Sequence, residues 1–214
     1  MQEKRRTGLD WPAHADTMVG VERLKNIRQC VKSVIEDGVE GDLVETGVWR
    51  GSASIMLRAC LAAYCDDHRR VWVCDSFQGL PAPDMERYPQ DAGMVLHTWS
   101  QLAVRQEQVK ASFSKCGYLD DRVNFLKGWF KETLPIAPIE KIAILCLDGD
   151  LYASTMDALN PLYDKVSAGG YIIVDDYGIE IDTCRRAITD FRAAKRIKEP
   201  LLDIDSCAKY WRKS

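Results

Sequence analysis

Apolar residues in the N-terminal part of the chain recur with the period of an amphipathic helix. Between residues 19 and 37 they are three to four positions apart, which places them on one face of a helix. The helix is predicted to end at Asp37-Gly38, because glycine is common just after a helix. We expect it to pack as a lid or as an outer helix. The apolar positions are Val21, Leu24, Ile27, Val31, Val34 and Ile35.

Short apolar runs alternate with helical patterns along the rest of the chain. The runs predict strands over residues 42–46, 70–74, 123–126, 142–147 and 171–174. Helical patterns lie between them over residues 52–64, 102–116 and 154–166, and a further helix is predicted over 183–194. Residues 201–204 and 208–211 are predicted to form a closing hairpin. This alternation is typical of an α/β fold with a mostly parallel sheet.

The longest stretch without a regular pattern covers residues 78–100, and a loop of that length in a compact domain is usually functional or mobile. No linker, repeat or low-complexity tract divides the chain. We therefore predict a single structural domain, with an N-terminal helical segment over residues 1–40 that covers the site and a main part over residues 41–214.

Composition narrows the possible partners. The 214 residues are 46% hydrophobic and 29% charged, which is enough for one full-sized core. With a net charge of -3 and both signs interspersed, no basic stripe is present, so no nucleic acid partner is expected. No apolar run approaches the ~20 residues of a membrane span. The N-terminal segment MQEKRRTGLDWP lacks the apolar core of a signal peptide. We predict a cytoplasmic protein with no membrane association.

The eight cysteines are scattered without a CxxC spacing. Several fall within predicted strands or helices, where free cysteine behaves as a small buried apolar residue. Neither disulfides nor a zinc site is expected.

Four aspartates carry the strongest chemical signal. Asp148 and Asp150 follow one apolar run, and Asp175 and Asp176 follow another. Carboxyl ends of parallel strands lie at the edge where open α/β sheets bind ligands. Clustered carboxylates repel one another unless a cation or a proton neutralises them, and oxygen ligands suit Mg²⁺. The alternative is ordinary strand-end and helix-capping aspartates, above all for Asp150, which could cap the helix near residue 154.

A second signal is the segment DLVETGVWRGSASIML. It reads as a strand, a turn with Gly47 and Gly51, and a helix, the arrangement found at nucleotide and adenosyl sites. The next strand ends at Asp75, where an acidic residue commonly accepts hydrogen bonds from ribose hydroxyls. A plain tight turn is the alternative for the glycines. No GxxxxGK[ST] sequence is present, which disfavours a kinase-like phosphate site.

Several long blocks resemble the macrocin O-methyltransferase family, whose members methylate sugar hydroxyls of macrolides and other glycosylated natural products. These blocks are DWPAHADTMVGVERLKN, DLVETGVWRGSASIML, DSFQGLP, LAVRQEQVKASF, GWFKETLP, LDGDLYAST and VDDYG. The resemblance implies S-adenosylmethionine (SAM) as methyl donor and Mg²⁺ as a cofactor. It also implies a class I SAM-dependent methyltransferase fold: a Rossmann-like, seven-stranded sheet whose last strand is antiparallel. Residues 41–214 would form the methyltransferase domain.

The resemblance also assigns site residues. The methionine end of SAM would be held by Glu45, Thr46, Gly47 and Gly51, the ribose by Asp75 with Ser76 and Phe77 beside it, and the adenine by Gly128 and Trp129. Asp148, Asp175 and Asp176 match the metal positions, and Asp148 would also lie at the cofactor. Trp129 taken alone fits equally well as a buried core aromatic.

The general base is less well defined. Metal-dependent catechol methyltransferases use a lysine three residues after the first metal aspartate, but Leu151 occupies that position here. The candidates are Asp148, as ligand and proton acceptor together, and His97 in the long loop. His97 could also be an ordinary exposed loop residue.

Substrate recognition is expected from aromatic and methionine side chains outside the cofactor motifs. Such side chains can cover a sugar face and an apolar aglycone, although plain packing of the lid would explain each of them equally well. The candidates are Trp11, with Pro12 beside it, and Met18, Tyr88, Met94 and Trp99.

We therefore predict a SAM- and Mg²⁺-dependent O-methyltransferase acting on a deoxysugar hydroxyl of a macrolide or other glycosylated small molecule. The alternatives are a catechol or phenolic O-methyltransferase of the same fold, or a cofactor-binding scaffold without catalysis. A metal-dependent hydrolase fits the glycine turn less well. Self-association as a homo-oligomer is expected, because the N-terminal helix and the long loop could close the site against a twin subunit.

Overall fold

A computed structural model of the chain describes residue 4 and residues 15–178 and 182–214. The strands are β1 (Asp42–Thr46), β2 (Val71–Asp75), β3 (Val123–Lys127), β4 (Ile142–Leu147), β5 (Val166–Val174), β6 (Leu202–Asp203) and β7 (Lys209–Arg212). The helices described are α1 (Val21–Glu36), α2 (Ser52–Ala63), α3 (Gln106–Lys115), α4 (Phe130–Thr133), α5 (Tyr152–Leu162) and α6 (Thr183–Lys195).

All seven strands form one sheet in the order β3-β2-β1-β4-β5-β7-β6. The pairs from β3 to β5 are parallel, and β7 runs antiparallel to both of its neighbours. This confirms the predicted seven-stranded sheet with an antiparallel last strand. Strand order reverses between β1 and β4, so the sheet has its topological switch point there.

Helices cover both faces of the sheet, which explains why the central strands are continuous apolar runs. All six residues of β4 are buried. On one face α1 packs its buried stripe, including Ile27, Val31 and Val34, against the sheet together with α2 and α3. On the other face α5 and α6 pack beside Trp211 of β7, which is fully buried. The two layers hold the carboxyl ends of β1 and β4 side by side.

Two predicted helices have different bounds in the structure. The helix predicted over residues 102–116 begins only at Gln106, because the backbone N–H of Arg105 donates to Gln108 Oε1 and caps it there. The helix predicted over residues 154–166 runs from Tyr152 to Leu162 instead. It is followed by a 3₁₀ turn and by β5, which starts at Val166, five residues before the strand predicted over 171–174. The Ser-Ala-Gly-Gly run in β5 lacks an apolar pattern and hid this extension.

The N-terminal helix belongs to the outer layer of the domain. Its role as a lid stays a prediction, and Trp11 and Pro12 lie outside the described residues. Among the described helices, none combines the length and apolar character that crossing a bilayer requires.

Candidate active site

A cavity of about 390 Å³ opens at the carboxyl ends of the central strands. Its walls come from the residues that directly follow β1, β2, β3 and β4, and from the loop after β2. This volume lies in the range of small-molecule sites, and the position at the strand-order reversal is where α/β sheets bind ligands. The predicted site residues that line it are Met18, Gly47, Asp75, Ser76, Tyr88, Gly128, Trp129 and Asp148.

The turn after β1 depends on Gly47. Its φ is +83°, and a Cβ at this position would overlap the backbone oxygen of Asp148. Asp75 holds the same turn: Oδ2 accepts the backbone N–H of Val48 at 2.8 Å, and Oδ1 accepts that of Phe77 at 2.6 Å. Asp75 also lines the cavity. The turn and Asp75 therefore form one preorganised wall.

Three of the predicted cofactor residues lie behind this wall. Glu45 is 3% exposed and accepts a hydrogen bond from Ser54 Oγ of α2. Thr46 is also buried and donates to the backbone oxygen of Cys146 at 3.3 Å. Gly51 has φ +84°, and a Cβ there would lie 2.7 Å from Val109 Cγ1. These residues shape the turn from the core side, and the cavity lining does not include them.

Glu45 gives a prediction for the pH dependence of stability. Burial raises the pKa of this carboxyl to about 8, so the folded protein holds a proton that the unfolded chain releases near pH 4.5. Stability contributed by the protonated form is therefore lost as pH rises from about 4.5 to about 8. Glu45→Gln keeps an acceptor for Ser54 and removes this titration. Between pH 5 and pH 8, wild type should therefore lose roughly 1–3 kcal/mol more of its free energy of unfolding than Glu45→Gln loses.

Denaturant unfolding of wild type and Glu45→Gln at several pH values measures the effect. Parallel pH profiles for the two proteins would show that Glu45 is ionised in the folded state and would contradict the prediction.

Among the described residues, Asp148, Asp150 and Asp176 form a group of acidic oxygens close enough together to hold a metal ion. One carboxylate oxygen from each lies within 4.8 Å of the others. Asp150 has φ +55°, and its backbone N–H donates to Asp176 Oδ2 at 2.9 Å. Burial, followed by the charges of the neighbouring carboxylates, raises the pKa of Asp148 and Asp176 well above its usual range. Burial also raises the pKa of Asp150 to about 6. Protons or a cation must neutralise the group, and its oxygen donors fit a hard divalent ion.

Asp175 faces a different partner. It forms a partly buried ion pair with Arg23 of α1, and Arg23 also contacts Asp205, with Nε to Oδ2 at 2.8 Å. Two of the three predicted metal ligands, Asp148 and Asp176, therefore lie together in the structure. The third carboxylate of the group is Asp150, where Asp175 was predicted. Asp150 does not act as the helix cap: the first N–H groups of α5 donate to another residue, Asp91.

The predicted acceptor residues separate into two groups. Met18 and Tyr88 line the cavity, whereas Met94 is buried at 5% exposure and contributes to packing. His97 and Trp99 are exposed on the long loop and are absent from the cavity lining. Phe77, predicted beside the ribose, is buried with its ring 6.2 Å from that of Phe125. Trp129 lines the cavity, which favours the ligand-facing alternative over a core role.

Sequence reasoning missed several residues of the walls. They include Trp49, the run from Leu80 to Asp84, Arg87, Lys131, Ser154 and Asp157. Two signals were available in the sequence. The Pro-Ala-Pro run begins six residues after the strand end at Asp75, in the DSFQGLPAP block. Ser154 and Asp157 are three residues apart on the helix that follows the aspartates.

Comparison with known proteins decides the family. The family model described as macrocin O-methyltransferase (TylF) matches residues 1–213. The chain belongs to the macrocin O-methyltransferase family. Over 98% of its length it is 51% identical to the 8-demethyl-8-(2,3-dimethoxy-alpha-L-rhamnosyl)-tetracenomycin-C 4'-O-methyltransferase of Streptomyces olivaceus, of which it covers 80%. It is 46% identical over its full length to the mycinamicin III 3''-O-methyltransferase of Micromonospora griseorubida, of which it covers 85%.

The fold agrees with this membership. The solved structure of the O-methyltransferase NovP is 50% identical and superimposes with a TM-score of 0.97, covering all of this chain and 88% of that one. The macrocin O-methyltransferase resemblance in the sequence is thus confirmed over almost the whole chain, and the protein is an O-methyltransferase. The cavity described above lies where the ligands of this fold bind.

Proposed function

We propose that this enzyme transfers the methyl group of SAM to a sugar hydroxyl of a glycosylated small-molecule natural product, with Mg²⁺ held by the aspartate cluster. The observation that carries the proposal is the juxtaposition of two features in one cavity. The glycine turn follows β1 and Asp75 ends β2, while Asp148 and Asp150, which follow β4, line the same cavity. The oxygens of Asp148 and Asp150 converge with one from Asp176, which follows β5. The names of the relatives supply the acceptor class, since they act on a tetracenomycin glycoside and on mycinamicin III.

The cofactor side of the cavity suits an adenosyl ligand. Gly47 lines the cavity with its backbone alone, and the carboxylate of Asp75, which also lines it, can accept hydrogen bonds from ribose hydroxyls. Trp129, after β3, offers an aromatic surface for the adenine. SAM supplies an electrophilic methyl group on a sulfonium, so these residues have to orient it toward the aspartates without reacting themselves.

The metal side must activate a weakly acidic hydroxyl. Bound Mg²⁺ would act there as a Lewis acid that stabilises developing negative charge on the acceptor oxygen. Asp148, Asp150 and Asp176 are the residues that we propose hold it, because their oxygens already converge. Asp148 and Asp150 also line the cavity, so one of these two carboxylates accepts the hydroxyl proton. His97 is exposed outside that lining, which disfavours it as the base.

The acceptor side combines apolar and polar surface. Met18, Leu80 and Tyr88 present surface suited to a sugar face and an apolar aglycone. Arg87 and Asp157 add groups that can hydrogen-bond to sugar hydroxyls. Together these residues favour a glycoside over a flat catechol, because they offer hydrogen-bonding partners on a wall that also covers apolar surface.

Metal removal tests the proposal directly. After treatment with a chelator, methyl transfer from SAM to macrolide and rhamnosylated polyketide glycosides should fall by about 100-fold or more, and added Mg²⁺ should restore it. SAM binding measured by calorimetry should persist in both states, because the glycine turn and Asp75 do not depend on the metal. Each glycoside is compared with its aglycone and with a catechol as controls.

Three outcomes would count against the proposal. Failure to bind SAM would remove the methyltransferase mechanism, and unchanged transfer after metal removal would remove the role of the aspartates. Preferential methylation of catechol would move the acceptor class to phenols.

We also propose that the protein self-associates. Sedimentation analysis gives the number of subunits.

A further inference from the structure

Asp91 is a fully buried carboxylate in the long loop over residues 78–100. It lies on the 3₁₀ turn Pro89–Asp91. Its Oδ1 accepts the backbone N–H of Tyr152 at 2.6 Å, and its Oδ2 accepts that of Ala153 at 3.0 Å. These are the first two residues of α5. Leu151, at the N-cap position itself, provides no side-chain bond. The cap of this helix thus comes from 61 residues earlier in the chain, whereas an N-cap is normally the residue at the helix start.

This contact joins two walls of the cavity. The loop residues Arg87 and Tyr88, which shortly precede Asp91, line it on one side. Ser154 and Asp157 line it from α5. The ring centroids of Tyr88 and Tyr152 lie 5.7 Å apart, so the loop also contacts the side chain of the first residue of α5. Because α5 begins two residues after Asp150, any movement of the long loop relative to α5 also changes the position of the loop relative to the aspartates.

The chemistry of the contact requires a carboxylate. Both oxygens accept an N–H, and negative charge is favoured at a helix N-terminus because the helix dipole is positive there. An asparagine at this position would offer one acceptor and one N–H₂ donor, and the donor would face a backbone N–H. Asp91 itself is fully buried, and so is its bond to the Tyr152 N–H, so water does not readily replace this acceptor. Ala153, the second capped residue, lines the cavity.

We propose that Asp91 is a positioning residue for methyl transfer, which holds the acceptor-binding wall of the long loop in register with the aspartates by capping α5. The inference rests on the proposed function for its acceptor class. The cofactor wall is built separately, from Gly47 and Asp75, and does not depend on this cap. Asp91 itself is absent from the cavity lining, so it acts through Tyr88 and α5.

The test compares Asp91→Asn with Asp42→Asn. Asp42 is a matched control, since its two oxygens also accept N–H groups, from Arg70 at 2.9 Å and from the Trp72 indole at 2.8 Å. It lies at the start of β1, at the amino ends of the parallel strands and opposite the cavity. In Asp91→Asn, amide hydrogen exchange at Tyr152, Ala153 and the long loop should accelerate about tenfold, and KM for the acceptor should rise about tenfold. The Kd for SAM should stay within about twofold, since the capped helix does not hold the glycine turn.

Several results would overturn the inference. These are unchanged exchange and KM in Asp91→Asn, an equal loss of SAM and acceptor affinity, or the same pattern in Asp42→Asn. If Asp91→Asn does not fold, Asp91→Glu is measured instead. Asp91→Glu keeps the charge and both acceptor oxygens on a side chain that is one methylene longer. It should also raise the acceptor KM selectively, but by a smaller factor. The exchange measurement needs no acceptor, so it decides the role of the cap even if wild type methylates none of the glycosides.

Discussion

Replacement of Asp148 by asparagine is expected to lower kcat for methyl transfer by about three orders of magnitude. The residue follows β4, lines the cavity, and contributes an oxygen to the cluster with Asp150 and Asp176. Asparagine has nearly the same shape but no charge, so it weakens metal binding and cannot accept the proton. Folding should not suffer, because burial and the neighbouring carboxylates already disfavour the charged form of Asp148. Steady-state kinetics with saturating Mg²⁺ and SAM measures the loss.

Asp42→Asn is the control, because it makes the same aspartate-to-asparagine change at the amino ends of the strands, away from the cavity. It should leave kcat within about twofold of wild type. An Asp148→Asn enzyme that retains wild-type kcat would exclude the cluster from the chemistry. Calorimetry with SAM shows in the same experiment that the cofactor site is intact.

The comparison of Asp150→Asn with Asp175→Asn identifies the third ligand. If Asp148, Asp150 and Asp176 hold the metal, Asp150→Asn should weaken Mg²⁺ binding about 10–100-fold. Asp175→Asn should keep its Mg²⁺ affinity. It should lose about 1–3 kcal/mol of stability, because Arg23 loses one of its partners. The opposite pattern would mean that Asp175 leaves Arg23 to bind the metal, as the family resemblance implies.

A methyl group added at Gly47 is expected to destabilise the protein by about 4 kcal/mol or more and to abolish SAM binding. Gly47→Ala places a Cβ on the backbone oxygen of Asp148, at a φ of +83° that side chains rarely adopt. Gly47 follows the end of β1 and Asp148 follows the end of β4. The hydrogen bond from the Asp148 N–H to the Thr46 oxygen, at 2.9 Å, holds these two ends together, so neither can move away without loss of stability. Denaturant unfolding and calorimetry with SAM measure the two effects.

Gly93→Ala is the matched control for this change. Gly93 has nearly the same φ, +85°, but nothing lies within 4 Å of an added Cβ. It should therefore show only the conformational cost of the left-handed backbone, about 1–2 kcal/mol, with unchanged SAM affinity. Equal destabilisation of the two variants would show that backbone strain alone matters and that the close approach of β1 and β4 does not.

Most of the fold could be predicted from local patterns. Buried parallel strands require apolar residues on both faces, so β1, β2 and β4 appear as short apolar runs bounded by turn residues. The errors arose where side chains carry little pattern. The first half of β5 contains Ser-Ala-Gly-Gly, and the start of α3 is set by the cap at Arg105 rather than by the apolar residues before it.

The candidate site was only partly predictable, since a motif identifies a turn but not the direction of each side chain. Glu45 and Thr46 belong to the glycine motif, yet both are buried: as consecutive residues of β1 they point to opposite faces of the sheet, and helices cover both faces. His97 has the right chemistry, yet its loop leaves it exposed. The contributions of Arg87 and Asp157 depend on how the long loop folds back over α5.

By itself, the sequence determined the α/β class, the family and the placement of acidic residues at the ends of β4 and β5, because these follow from periodicity and from contiguous motifs. Only the tertiary structure decided which carboxylates meet. Asp150 joins Asp148 and Asp176 through a left-handed turn and a backbone hydrogen bond, while Arg23, more than 150 residues from Asp175, draws that carboxylate to α1. Partners so distant in the chain are chosen by packing and charge neutralisation in the folded state, which no local pattern records.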